Sequence, residues 1–109
     1  MKYDSDRDTG PDGQPSLSRM VHTALKILQK NRKGYFLMVE GGRIDHAHHE
    51  NRARYALEET IAFSSAISTT MKMINMEDTL VIGQLLYHIT TCTELSEGWC
   101  LETACIQYV

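Results

Sequence analysis

Residues 40 to 50 read EGGRIDHAHHE, placing three histidines, one aspartate and two glutamates around a pair of glycines. Such side chains offer carboxylate oxygen and imidazole nitrogen, two of the donor types that zinc takes. Asp45 and His49 are four positions apart, so on a helix starting near Ile44 they share a face and can grip one cation. A zinc site of this kind takes a third protein ligand and keeps a position open. Glu40, on the other side of the glycines, offers oxygen alone, which suits a harder ion such as magnesium. His46 and His48 flank the pair, and at most one of them matters. The expectation is that the carboxylates at 40 and 45 and the imidazole at 49 project toward a common cation pocket. Spacing alone leaves a solvated polar loop as the other reading, because acid-plus-histidine clusters are hypothesis-grade motifs.

To hold these side chains the chain must supply a strand before them and a helix after. Tyr35 to Val39 (YFLMV) is a short apolar run between turn signals, which predicts a buried strand. Gly41 and Gly42 then let the backbone turn through dihedrals other residues resist. The cluster thus falls at the carboxyl end of a strand, where open α/β sheets bind ligands. Upstream, residues 1 to 14 read as a connecting loop, and Pro15-Ser16 opens a helix. Leu17, Met20, Val21, Ala24, Leu25 and Leu28 form its apolar stripe. QKNRKG closes it with cations and a glycine in the capping position. After the glycine pair a second helical pattern carries Tyr55, Leu57, Ile61, Ala62, Ala66 and Ile67, with reach to Ile74. The charged stretch ENRARYALEET suits its solvated face. Tyr55 and Phe63 read as core, not as substrate platforms. TLVI, Thr79 to Ile82, predicts a second strand.

The order helix-strand-helix-strand predicts an α/β fold with a parallel sheet. Two strands make no stable sheet, and their apolar faces want neighbours, which marks a fragment. Residues 83 to 109 hold all three cysteines (Cys92, Cys100, Cys105) and the only tryptophan, with no sustained period. The odd count without Cys-x-x-Cys spacing predicts incidental thiols, neither a disulfide framework nor a zinc ribbon. His22 and His88 read as bland.

With 109 residues there is room for one small domain. A net charge of −3 gives no electrostatic footprint for nucleic acid. No apolar run approaches the roughly 20 residues of a membrane span, and the polar N-terminus is unlike a signal peptide. Taken literally, such a chain is cytosolic.

The order of residues goes further than their count. YFLMVEGGRIDHAHHENRARYALEETIAF resembles the metal-site segment of the alkaline phosphatases, in which an apolar strand runs into V-E-G-G-R-I-D-H-x-H-H-E and then a helix. The likeness extends through MKYDSDRD and PSLSRMVHTALKILQKN upstream and EDTLVI downstream. It covers residues 1–82 and leaves 83–109 as a divergent tail. The resemblance implies a fragment of a three-layer α/β sandwich and a homodimeric, metal-dependent phosphomonoesterase with two zinc ions and one magnesium. By the matched motif Asp45 and His49 are ligands of one zinc, Glu40 of the magnesium, and His46 lies near the substrate phosphate. In such a site one zinc activates a serine oxygen and the other stabilises the departing alkoxide. The family's place is the outer face of the plasma membrane, on a lipid anchor; neither targeting nor anchor signal is expected here.

The departures from the family pattern carry equal weight. The nucleophilic serine, the phosphate-gripping arginine and the bridging aspartate of the family find no match. Where the family continues Thr-Ala-Asp-His-Ser-His, the chain reads GQLLYHITTC. Gln14 stands where the vertebrate branch has a calcium-binding aspartate, so no calcium site is carried over. The expectation is therefore a phosphatase segment without catalytic residues, inactive alone. Its rivals are a non-catalytic metal-binding module and an interaction protein docking on a full-length partner.

Overall fold

The computed structural model describes residues 1–84 and 103–108. The expectations for Cys92, Cys100, His88 and the tryptophan fall outside them. Ser16 caps the first helix, α1 (Leu17–Leu28), its hydroxyl accepting from the Arg19 N–H at 3.2 Å, which satisfies one of the orphan donors of the first turn. Val21 and Leu25 are buried one turn apart, with Leu17, Met20, Ala24 and Leu28 half-buried beside them. Gly34 is not the cap of α1. It lies beyond two further turns, at φ 97°, and redirects the chain into the first strand.

That strand, β1 (Tyr35–Glu40), turns Val39 and, in part, Tyr35 and Leu37 inward, while Phe36, Met38 and Glu40 face out. A seven-residue helix, α2 (Arg43–His49), follows the glycines. The predicted single helix beyond Gly42 is broken after it. Asn51 takes φ 54°, the Asn51 N–H donates to the His48 carbonyl at 3.0 Å and the Arg52 N–H to Ala47 at 2.8 Å. These two bonds form a Schellman cap with asparagine in the left-handed position. The chain then restarts as α3 (Ala53–Met71), which stops short of Ile74.

The buried face of α3 is Ala56, Glu59, Phe63, Ala66 and Thr70, at strict three-and-four spacing. Leu57 and Ile61 of the predicted stripe are instead 60% and 67% exposed. Glu59, from the stretch expected to be solvated, is only 8% exposed.

The second strand, β2, runs Thr79–Gln84. The predicted parallel pairing of β1 with β2 does not form. A third strand, β3 (Thr103–Tyr108), from the tail that shows no period, lies between them and pairs antiparallel with both. In register, Leu37 and Val81 both oppose position 106. β1 and β2 thus point the same way, one strand apart, and β3 pairs the backbone edges they turn toward each other. The helices lie on one face of this sheet, around a core of Val21, Leu25, Val39, Ile44, Phe63 and Ala66. On the other face Phe36, Met38, Leu80 and Ile82 are 54–61% exposed. The described residues are therefore mixed α/β in two layers, a sheet and one helical layer.

Candidate metal centre

The site begins at the end of β1. Neither glycine of the pair adopts positive φ, so the turn does not depend on unusual dihedrals. Gly41 is required for space: a Cβ there would stand 3.2 Å from Ile44 Cδ1 and from Phe63 Cδ2. Its small size lets α2 start directly against the core. Gly42 caps α2 in a helical conformation and lies against the Glu40 carboxylate, whose Oε1 would meet a Cβ at 3.3 Å.

Ile44 and Ala47 fix the inward face of α2, being 1% and 0% exposed. With 100° per residue, Asp45 and His49 then fall on the opposite, outer face. Their side chains meet, His49 Nε2 lying 3.4 Å from Asp45 Oδ1. The aspartate is about half as open to solvent as the imidazole, at 30% against 64%. Two unlike donors so close can converge on one cation. His46 is exposed, and its Nδ1 lies 2.8 Å from the Gly42 carbonyl. A proton on Nδ1 donated to that carbonyl leaves Nε2 as the outward, lone-pair nitrogen. His48 is exposed.

The expected convergence of three donors does not occur. Among the described residues no group of three His, Cys, Asp or Glu side chains could hold a metal. Glu40 is exposed at the strand end and does not complete the Asp45–His49 pair. The reason is local. Glu40 leaves the strand before the glycines, whereas Asp45 and His49 ride the outer face of a helix whose direction Ile44 and Ala47 set.

Sequence reasoning missed what lies behind α2. Residues 1 to 8, expected to be loop, include a 3-10 turn (Asp4–Asp6) and dock on the α2–α3 junction. Tyr3 is 6% exposed and packs with Ala47 and Ala56. Its ring is 4.5 Å from that of Tyr55, the Arg43 guanidinium is 4.7 Å from its centroid, and its hydroxyl donates to Glu50 Oε2 at 3.1 Å. Burial first, then the Glu50 carboxylate, pushes the Tyr3 phenol above its ordinary value. The Asp4 N–H donates to Glu59 Oε1 at 2.5 Å, and burial pushes the Glu59 carboxyl up. Beside it, the Glu58 carboxyl is held low, chiefly by its bond from Arg54 at 2.7 Å. The Tyr3–Glu50 bond joins residues 47 apart, a separation that no local periodicity reports.

Comparison with known proteins bears on this loop directly. A profile of the alkaline phosphatase family matches residues 1–90. The tissue-nonspecific alkaline phosphatase of Felis catus is 52% identical over 82 residues, which is 75% of this chain and 15% of the cat protein. The alkaline phosphatase of Gadus morhua is 44% identical over 82 residues, 75% of this chain and 17% of the cod protein. A membrane-bound alkaline phosphatase of Bombyx mori is 42% identical over 69 residues, 63% of this chain and 12% of the silkworm protein. No solved structure gives a match. The matched segment spans between about an eighth and a sixth of the length of these relatives, and it includes the strand, the glycine pair and the Asp45–His49 helix. With the family profile covering most of its length, this chain belongs to the alkaline phosphatase family.

Proposed function

We propose that residues 40–49 form part of the metal grip of an alkaline phosphatase centre, acting on phosphate monoesters within a longer, homodimeric, lipid-anchored enzyme at the outer face of the plasma membrane. Asp45 and His49 hold one zinc, Glu40 a magnesium, and His46 faces the substrate phosphate. The observation that carries this reading is the 3.4 Å approach of His49 Nε2 to Asp45 Oδ1 on the open face of α2. A carboxylate and an imidazole there match the donor set zinc accepts. Bound metal supplies Lewis acidity toward a phosphoryl oxygen. The chain's own residues hold the donors at fixed separation and present the His46 ring outward.

Two protein ligands are fewer than the three of an ordinary catalytic zinc site. The 109-residue chain therefore binds zinc weakly and does not turn over alone. Calorimetric titration of zinc into the purified chain tests this. The expected dissociation constant is weaker than about 1 µM, and both Asp45→Ala and His49→Ala abolish the heat. Tighter binding without hydrolysis favours a non-catalytic metal-binding module. Turnover of an aryl phosphate, lost in Asp45→Ala, contradicts the inactivity.

The sheet face that the described residues leave uncovered favours one further reading. Phe36 and Met38 on β1 and Leu80 and Ile82 on β2 present four large exposed apolar side chains on one face of the sheet, and exposed apolar surface of this kind marks an interaction site. On this reading the chain docks onto a full-length alkaline phosphatase. Failure to co-sediment with such a protein, wild type and Met38→Lys alike, counts against it.

A further inference from the structure

We infer that Tyr3 is a positioning residue, clamping α2 from behind at both ends and so fixing the separation and direction of Asp45 and His49. The first residue of the helix, Arg43, lies over the Tyr3 ring at 4.7 Å, and the residue capping its end, Glu50, accepts from the Tyr3 hydroxyl at 3.1 Å. Between them Ala47 packs in the same cluster as Tyr3 with no exposure. Arg43 also donates to the Met1 carbonyl. Tyr55 backs the clamp, its ring 4.5 Å from that of Tyr3 and tilted 36° to it, with Arg52 over its own ring at 5.6 Å. Arg43 and Arg52 thus bracket α2, each on one of two packed tyrosines.

A seven-residue helix needs such support. Two turns lie far below the roughly 12–15 residues at which a helix becomes marginal in isolation. On the outer face of α2 the Asp45–His49 approach is largely solvent-exposed and weak by itself. Its order comes from the core contact of Ile44, the Schellman cap at Asn51 and the Tyr3 clamp. Of the three, only the clamp holds both ends. Freed from it, the helix frays and the two donors no longer share a fixed face.

The purpose of the clamp rests on the metal-grip proposal; its existence is tested without metal. Amide hydrogen exchange of the metal-free 109-residue chain provides that test. In Tyr3→Phe the ring contacts stay and the Glu50 bond goes, and protection of the His48, His49 and Arg52 amides falls roughly threefold to tenfold. Tyr3→Ala lowers it further, while Glu50→Gln, which keeps an acceptor oxygen, retains most of it. Amides of Leu25 and Phe63 keep their wild-type protection in Tyr3→Phe. Equal losses at Leu25 and Phe63, or none at α2, overturn the clamp.

Zinc affinity then reports positioning, weakening in the order Tyr3→Phe, Tyr3→Ala with Glu50→Gln near wild type. Unchanged affinity in Tyr3→Ala overturns the positioning role. If the wild-type chain binds no zinc, the metal proposal fails, and the exchange result still decides the clamp.

Discussion

Helix α3 serves two cores that differ in kind. Toward the sheet, Phe63 and Ala66 join Val21, Leu25, Val39 and Ile44 in an apolar cluster, held by burial and indifferent to direction. Toward the N-terminus, Ala56 joins Tyr3, Ala47 and Tyr55, where two rings pack at a tilt, arginines lie over them and a phenol donates to a carboxylate. The first core decides that the fold forms. The second has geometry, and it sits against the back of the helix that carries Asp45 and His49. Area supplies stability here; directed polar contacts supply aim.

The comparison breaks first at Phe63. Phe63→Ala leaves a void among Val21, Val39 and Ile44, beside the closely approached Gly41, and is expected to lose about 3–4 kcal/mol. Urea denaturation measures it. Tyr3→Ala, in the second core, is expected to lose about 2 kcal/mol. About 1 M salt shrinks that loss by screening the arginine and carboxylate contacts and leaves the Phe63 loss unchanged. Equal salt response of both variants would erase the distinction.

Next in size is the cap between the two helices. Asn51→Ala places a Cβ-bearing residue without a local polar partner at φ 54° and costs about 1 kcal/mol. Asn51→Gly is neutral or stabilising by a few tenths. Denaturation midpoints of the two variants should move apart in that order.

Glu58 and Glu59 give the smallest and most diagnostic contrast. Burial raises the folded pKa of Glu59, so folding is favoured while it is protonated, and that favour is lost as pH rises through the folded value. Glu59→Gln keeps an acceptor for the Asp4 N–H and is expected to stabilise at neutral pH, with the gain vanishing below about pH 4. Glu58 has a lowered pKa, chiefly through Arg54 and then Ser5. Its contribution is present above the ordinary carboxylate range and lost as pH falls through the folded value. Glu58→Gln should therefore destabilise at neutral pH, the difference closing in acid. Urea midpoints across the acid range read both slopes.

The same two-core contrast explains how much was legible in the sequence. The stripe of α1, the β1 run and the Asp45–His49 spacing are local patterns, and each appears where it was expected, although the strand expected to be buried is covered on one face only, with Phe36 and Met38 outward. The inward face of α3 was not, because two of its five positions are Glu59 and Thr70, which hydropathy assigns outward. Leu57 and Ile61 claimed the stripe by their chemistry and lie in solvent. The helix break at Asn51 is written only as an asparagine in a charged stretch. β3 and the Tyr3 clamp depend on partners far along the chain, and no period of 2 or 3.6 announces them. A polar N-terminal segment with two glycines and a proline in five positions looks like loop. The aromatic at position 3 is the single signal that it docks.

The account stands on Asp45 and His49 acting as one cation grip. Zinc titrated into the chain, with histidine ring signals and the Asp45 carboxylate followed by NMR, tests it at residue level. The account predicts that the His49 ring and the Asp45 carboxylate shift together along one saturating curve, while the rings of His22 and His48 stay in place. Parallel, unsaturating shifts at His22, His48 and His49 would reduce the cluster to a solvated polar loop.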